Sequence, residues 1–193
     1  PGAAPAQVHG DDDQGLFYVQ RDLAAERDEA FAWATRLGLE GDAEGFAWER
    51  TDGEQAIEVL AAVQSAEGLG VTWRSAKRTV SRHAEASDLR LKVGSQRDWF
   101  GLDGGLDVDG AVVPLTRIVQ AVIEGRSFAE ADDGTFVRLA VALRAQVAAL
   151  AEGGAHRRGK MELSPFAAPS VAALEDAGAK VEGARAWLKL RAR

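Results

Sequence analysis

Arg74, Arg78 and Arg82 recur every fourth residue in the stretch WRSAKRTVSRH, with Lys77 beside them. A spacing of four keeps side chains on one face of a strand or of a helix. A row of guanidinium groups could therefore meet the phosphate oxygens of a nucleic-acid backbone. The competing reading is an edge strand whose cations guard it against unwanted pairing. An electrostatic footprint for nucleic acid normally covers a wider patch, so both readings stay open.

A second basic stretch, GAHRRGKM from Gly154 to Met161, has the spacing of a phosphate-binding loop. Such a loop ends in Ser or Thr, whose hydroxyl holds magnesium. Met161 stands there instead, and a thioether is a poor ligand for an ion that demands hard oxygen donors. The preceding residues, LAVALRAQVAALAE, have helical rather than strand periodicity. The reading is a Gly-terminated helix end followed by a basic, solvated loop, with no nucleotide cofactor.

The carboxylates offer little chemistry. Placing Gly110 at the glycine of a calcium loop puts Gly105 at the first ligand position and Thr116 where a bidentate Glu belongs, so Asp103, Asp107 and Asp109 read as turn and strand-face residues. Asp132 and Asp133 lack a nearby nucleophile or orienting base and also read as turn residues. His9, His83 and His156 are scattered on polar stretches, and the chain has no cysteine. Neither a histidine metal site nor a thiolate site is expected. The chain contains no G-x-S-x-G elbow, H-E-x-x-H helix or G-x-G-x-x-G fingerprint. We expect no catalytic residues, no metal and no cofactor.

The totals agree with a soluble globular class: 193 residues, 46% hydrophobic, 27% charged, and a formal net charge of −7. That charge disfavours nonspecific nucleic-acid binding by the surface as a whole, which leaves local patches. No apolar run is long enough to span a membrane, and the absence of cysteine fits a reducing cytoplasm. A chain that opens on Pro rather than Met reads as a processed or excised piece.

The elements that would carry these residues can be read in order. Residues 1–14 read as a flexible tail. LFYV is a short strand, and RDLAAERDEAFAWATRLGL is a helix with Leu23, Ala30, Phe31, Ala34 and Leu37 on one stripe, ended by Gly38. FAWE is a second strand. EQAIEVLAAVQSA is a helix capped by Asp52, with Ile57, Leu60, Ala61 and Val63 inward. VTW, LRLKV, DWFGL and LDVDGAVV alternate as half-buried antiparallel strands do. Asp109-Gly110 and Asp133-Gly134 should each form a turn between short strands. Pro114 opens a helix that Gly125 ends. LAVALRAQVAALAE, PFAAPSVAALEDAG and VEGARAWLKLRAR complete the helices. The five tryptophans, Trp33, Trp48, Trp73, Trp99 and Trp187, read mostly as core. In Trp99-Phe100 one ring should be core, while the other sits at an interface or under a loop.

The sum is an α+β fold, short antiparallel strands and hairpins mixed with amphipathic helices, with a helical C-terminal extension. Residues 15–152 read as a single compact domain. Residues 153–193 read as a basic loop and helical extension.

The stretch DWFGLDGGLDVDGAVVPLTRIVQAVIEGRSFAEADDGTFVRL resembles a segment that lies ahead of the motor in bacterial Swi/Snf-type, helicase-like ATPases. Asp98-Trp99-Phe100, Gly110, Leu115, Ala121, Gly125, Asp133 and Gly134 match its pattern, and RDLAAE, Arg21 to Glu26, is similar to the family's upstream helix. The specific part covers residues 97–140, under a quarter of the chain. The resemblance implies a noncatalytic accessory domain that regulates or targets a DNA-stimulated ATPase. Its partners would be the motor domain of the same parent polypeptide, duplex DNA through Arg74, Lys77, Arg78 and Arg82, or another protein; a membrane is not among them. A scaffold without nucleic-acid contact is the alternative, and a small hydrolase is a third. An exposed basic face, an exposed apolar surface or a deep pocket of carboxylates would separate the three.

Overall fold

The structure, a computed structural model, describes residues 4–39, 47–74, 77–95, 99–157 and 160–183. By their contacts the residues fall into two compact units, Pro1–Leu69 and Gly70–Arg193. The boundary lies inside the stretch expected to form one domain.

Unit 1 begins with a hairpin of β1 (Gln7–Asp12) and β2 (Gly15–Gln20), which pair antiparallel from Gln7↔Gln20 to Asp12↔Gly15. Residues 7–12, expected within a flexible tail, are therefore a strand. The tail reading weighed their low apolar content and missed a partner across the turn. α1 (Leu23–Arg36) starts at Asp22, whose carboxylate accepts the Ala24 and Ala25 N–H groups. It ends as expected at Gly38: with Gly38 at φ +65°, the Leu39 N–H reaches the Ala34 carbonyl and the Gly38 N–H reaches that of Thr35. α2 (Gly53–Ser65) is capped by Asp52, which accepts the Gln55 N–H. Ala47–Glu49 form no strand, contrary to the FAWE expectation, and Phe46 lies outside the described residues.

The helical stripes of unit 1 are real but barely covered. Of its described residues only Ala34 is buried; Phe31 is exposed, and Ile57, Leu60, Ala61 and Val63 are half-buried at most. Periodicity marks which face could pack, but not whether the unit supplies a layer to pack against it.

Unit 2 holds the core. Its elements are β3 (Thr79–Ala84), β4 (Leu89–Ser95), β5 (Phe100–Val108), β6 (Ala111–Pro114), α3 (Leu115–Ile123), β7 (Phe128–Glu130), β8 (Thr135–Leu139), α4 (Val141–Glu152), β9 (Gly154–Arg157), β10 (Lys160–Leu163), α5 (Ala168–Asp176) and β11 (Lys180–Gly183). The nine-residue β5 is central. β4 lies along one side of it, while β10 takes its first residues and β6 its last on the other side. β9 extends the sheet beyond β10, and β11 extends it beyond β4 by parallel pairing. β3, β8 and β7 form a separate three-stranded sheet in that order.

Alternation along these strands sends Leu89, Leu91 and Val93 from β4, and Leu102, Leu106 and Val108 from β5, into one core. They join Ile118 and Val119 of α3, Leu143, Val147 and Leu150 of α4, and Val171 and Leu174 of α5. Gly104 and Gly105 sit where β5 changes partner. Gly104 has φ +136°, and a Cβ there would fall 2.0 Å from the Arg90 carbonyl oxygen; at Gly105 it would fall 2.3 Å from that of Val113. The strands on both sides press against this backbone, and only glycine fits.

The expected α+β class holds, and Asp109-Gly110 and Asp133-Gly134 turn between the strands assigned to them. Several elements differ from expectation. Residues 71–73, VTW, form no strand. GAHRRGKM is not a solvated loop, since it supplies β9 and β10 and buries Met161 opposite Leu102. Its physical reason is the free edge of β5 beside Phe100 to Leu102, where Met161 and Leu163 alternate inward. Residues 153–193 do carry the helix α5, but Lys180–Gly183 are strand rather than helix. The rest of VEGARAWLKLRAR, with Trp187, lies outside the described residues, as does Asp98. The four described tryptophans are not core: Trp33 and Trp48 are half-buried, and Trp73 and Trp99 are exposed. Among the described residues of unit 1 only Ala34 is buried, so the first two have little core to join. Of the adjacent pair, Phe100 packs against the core and Trp99 does not.

Among the described residues no helix is long and apolar enough to cross a membrane.

Candidate nucleic-acid interface

Arg74, Lys77, Arg78 and Arg82 are all exposed in unit 2. Arg74, Lys77 and Arg78 precede β3, and Arg82 lies on it. The register of β3 against β8 shifts between Val80↔Phe136 and His83↔Arg138, so β3 carries one extra residue at Ser81-Arg82. That bulge breaks the alternation on which a spacing of four relies. Arg78 and Arg82 accordingly reach different neighbours.

Arg78 turns toward the β7–β8 turn. Its Nη1 lies 2.7 Å from Glu130 Oε1, its guanidinium sits 5.8 Å from the centre of the Phe136 ring, and it passes over Gly134. Arg82 turns toward the residues before β4. It donates to both carboxylate oxygens of Asp88 at 2.8 and 2.9 Å, and its Nε lies 3.5 Å from Asp109. Those hydrogen bonds to Asp88, reinforced by the charges of Asp88, Asp109 and Glu85, raise the already high pKa of Arg82. The same bonds hold the Asp88 carboxyl below the usual carboxylate range, with help from the Glu85 N–H. Arg74 and Lys77 stand without a carboxylate partner among the described residues. Two of the four cations thus have their charge matched internally, and two present it to solvent.

Beside Arg78 lies a cleft of about 360 Å³ lined by Arg117, Gln120, Arg126, Glu130 and Asp132. Arg117 Nη1 is 2.9 Å from Asp132 and donates to the Glu130 carbonyl at 3.2 Å, and Arg126 pairs with Glu124 at 2.5 Å. Arg117 and Gln120 were legible in principle as the polar face of α3, three residues apart opposite Ile118 and Val119. An anion entering this cleft would have to displace carboxylates from both arginines. The cleft has no nucleophile beside a base, and it reads as an ion-paired brace between α3 and the β7–β8 turn.

The remaining carboxylates act locally. Asp103 accepts the Gly104 N–H, and Asp107 lies 3.9 Å from Arg90. Asp133 accepts the Thr135 N–H and hydroxyl, which together lower its pKa. Among the described residues no three His, Asp or Glu side chains gather as a metal site.

Charge divides sharply between the units. Residues 1–69 hold fifteen Asp and Glu against four Lys and Arg, a formal −11; residues 70–193 hold fifteen against nineteen, a formal +4. The overall −7 hides a basic unit joined to a strongly acidic one.

No family model, curated protein or solved structure matches the chain.

Proposed function

We propose that this chain is a noncatalytic regulatory or targeting module of a bacterial Swi/Snf-type DNA-stimulated ATPase, acting in the cytoplasm with the motor domain of the same parent polypeptide. In this reading unit 2 contacts duplex DNA. Arg74 and Lys77 make the first phosphate contacts, while Arg78 and Arg82 exchange a carboxylate for a phosphate as the duplex settles. The observation that carries it is the segregation of charge, which leaves unit 2 net positive with four exposed cations between residues 74 and 82. The test is association of the chain with duplex DNA as a function of salt. Phosphate contacts release condensed counterions and give a log–log slope of about −0.9 per contact. Binding that ignores salt, or no binding at low ionic strength, removes DNA from the reading.

A protein-interaction scaffold without nucleic-acid contact is the second reading. The pairing of Arg78 with Glu130 and of Arg82 with Asp88 favours it, since a phosphate must compete with carboxylates already in place.

A further inference from the structure

We propose that the β1–β2 hairpin of unit 1 is a docking site for a basic polypeptide segment that covers Leu16 and Tyr18. This inference does not depend on DNA binding by unit 2.

Leu16 to Val19 are four consecutive apolar residues, the pattern of a strand covered on both faces. In the structure every residue of β2 is exposed. A two-stranded ribbon is marginal by itself, and a third strand or a packed layer normally completes it.

The two faces of the hairpin are not alike. Pairing places Val8 with Val19 and Gly10 with Phe17 on one face. There the Phe17 ring lies over Gly10, so close that a Cβ on the glycine would be 2.3 Å from Cζ, and this face partly closes on itself. The other face holds Tyr18 beside His9, with ring centroids 6.3 Å apart, and Leu16 opposite Asp11. On it Leu16 is 89% exposed and Tyr18 65%. The base of the hairpin is tied down. The Arg21 N–H reaches the Ala6 carbonyl at 2.8 Å, and its guanidinium bonds the Pro5 carbonyl and the Glu26 carboxylate. The ribbon is thus held in place with an apolar face that no described residue covers, which lowers the ordering cost of binding.

Charge selects the occupant. Asp11, Asp12 and Asp13 ring the tip of this hairpin, in a unit of formal −11. A second copy of that unit, a nucleic acid and an anionic lipid surface all carry the wrong sign. A polypeptide with Lys or Arg flanking apolar side chains fits. Its apolar groups would cover Leu16 and the Tyr18 ring, and its cations would face Asp11 on the same face and the acidic tip beside it.

The test uses the whole chain and three short labelled peptides followed by fluorescence anisotropy: alternating lysine and valine, alternating glutamate and valine, and alternating lysine and serine. The lysine–valine peptide should bind, more weakly as salt rises, and at least about tenfold more tightly than the other two. Leu16→Ser with Tyr18→Ser should cost it at least about tenfold, with the main unfolding transition of the chain unchanged. Should that variant disturb the ribbon, Asp11→Asn with Asp12→Asn and Asp13→Asn keeps the apolar face and should flatten the salt dependence. Equal binding of the glutamate or serine peptide, or unchanged binding by both variants, overturns the proposal. So does self-association of the chain that the Leu16 and Tyr18 substitutions abolish, because the occupant is then a second copy.

Discussion

Asp88 grips Arg82 with both carboxylate oxygens, and its Oδ2 also accepts the Glu85 N–H at 2.9 Å, so one side chain pins an exposed cation and caps the turn that leads into β4. Replacing Asp88 by Asn keeps an acceptor for the Glu85 N–H and removes the charge. Solvent around the exposed arginine screens the pair, so the variant should be modestly less stable than the parent at pH 7. The pKa of Asp88 is lowered by folding. Its contribution is therefore complete above the unfolded carboxylate value of about 4 and is lost as the pH falls through the lower folded value. Denaturant unfolding of both proteins should show a stability gap that closes in acid. A gap that stays constant down to pH 2 would mean the charge of Asp88 contributes nothing.

Gly104 and Gly105 should be the least replaceable residues of the sheet. Ala at either position drives a methyl group into a neighbouring carbonyl, and at Gly104 it also meets an unfavourable φ. Overpacking and left-handed strain together should cost about 3 kcal/mol or more. Gly110, with φ +88° but open space around it, isolates the strain and should cost about 1 kcal/mol as Ala. Urea midpoints that fall equally for Gly104→Ala and Gly110→Ala would contradict the packing explanation.

What the sequence made legible was local. Asp109-Gly110 turns a hairpin because φ is positive at both residues, and Gly125 ends α3 with the Arg126 N–H bonded to the Ala121 carbonyl. Both are decided within a few residues. The alternation in β4 and β5 was equally plain. What was missed depends on partners far away in sequence. Lys160–Leu163 become strand because β5 has an unfilled edge, Gly154–Arg157 because β10 then offers one, and residues 180–183 because β4 does. For the candidate site, exposure of the four cations fits their polar surroundings, but their carboxylates could not be read, since Glu130 lies 52 residues from Arg78. The bulge that separates Arg78 from Arg82 leaves no mark in WRSAKRTVSRH.

Trp99 separates a surface aromatic from a core one. It is 45% exposed, so Trp99→Ala should cost well under the ~3–5 kcal/mol of a buried aromatic deletion, about 1 kcal/mol or less. Leu143→Ala, from the centre of the core, should cost about 2–5 kcal/mol. Thermal or urea unfolding of the two variants side by side is sufficient. A larger loss for Trp99 than for Leu143 would place the ring in an interior contact.

The DNA reading carries a number that the ion pairs sharpen. Each phosphate contact contributes about −0.9 to the slope of log affinity against log salt. Arg74 and Lys77 have no carboxylate partner among the described residues, so Arg74→Ala with Lys77→Ala should flatten the slope by up to ~1.8. Arg78 and Arg82 already hold Glu130 and Asp88. A phosphate that replaces those carboxylates leaves the protein with freed anions near the duplex, so Arg78→Ala with Arg82→Ala should flatten the slope by clearly less than ~1.8. Asp88→Asn should act in the opposite direction, releasing Arg82 and steepening the slope toward one further contact. Sequence preference should not change in any of these variants, because phosphate contacts position a duplex without reading it. If Arg78→Ala with Arg82→Ala abolishes salt-sensitive binding while Arg74→Ala with Lys77→Ala leaves it intact, the order of contacts is the reverse of the one proposed. If no variant moves the slope, the four cations guard an edge and the scaffold reading stands.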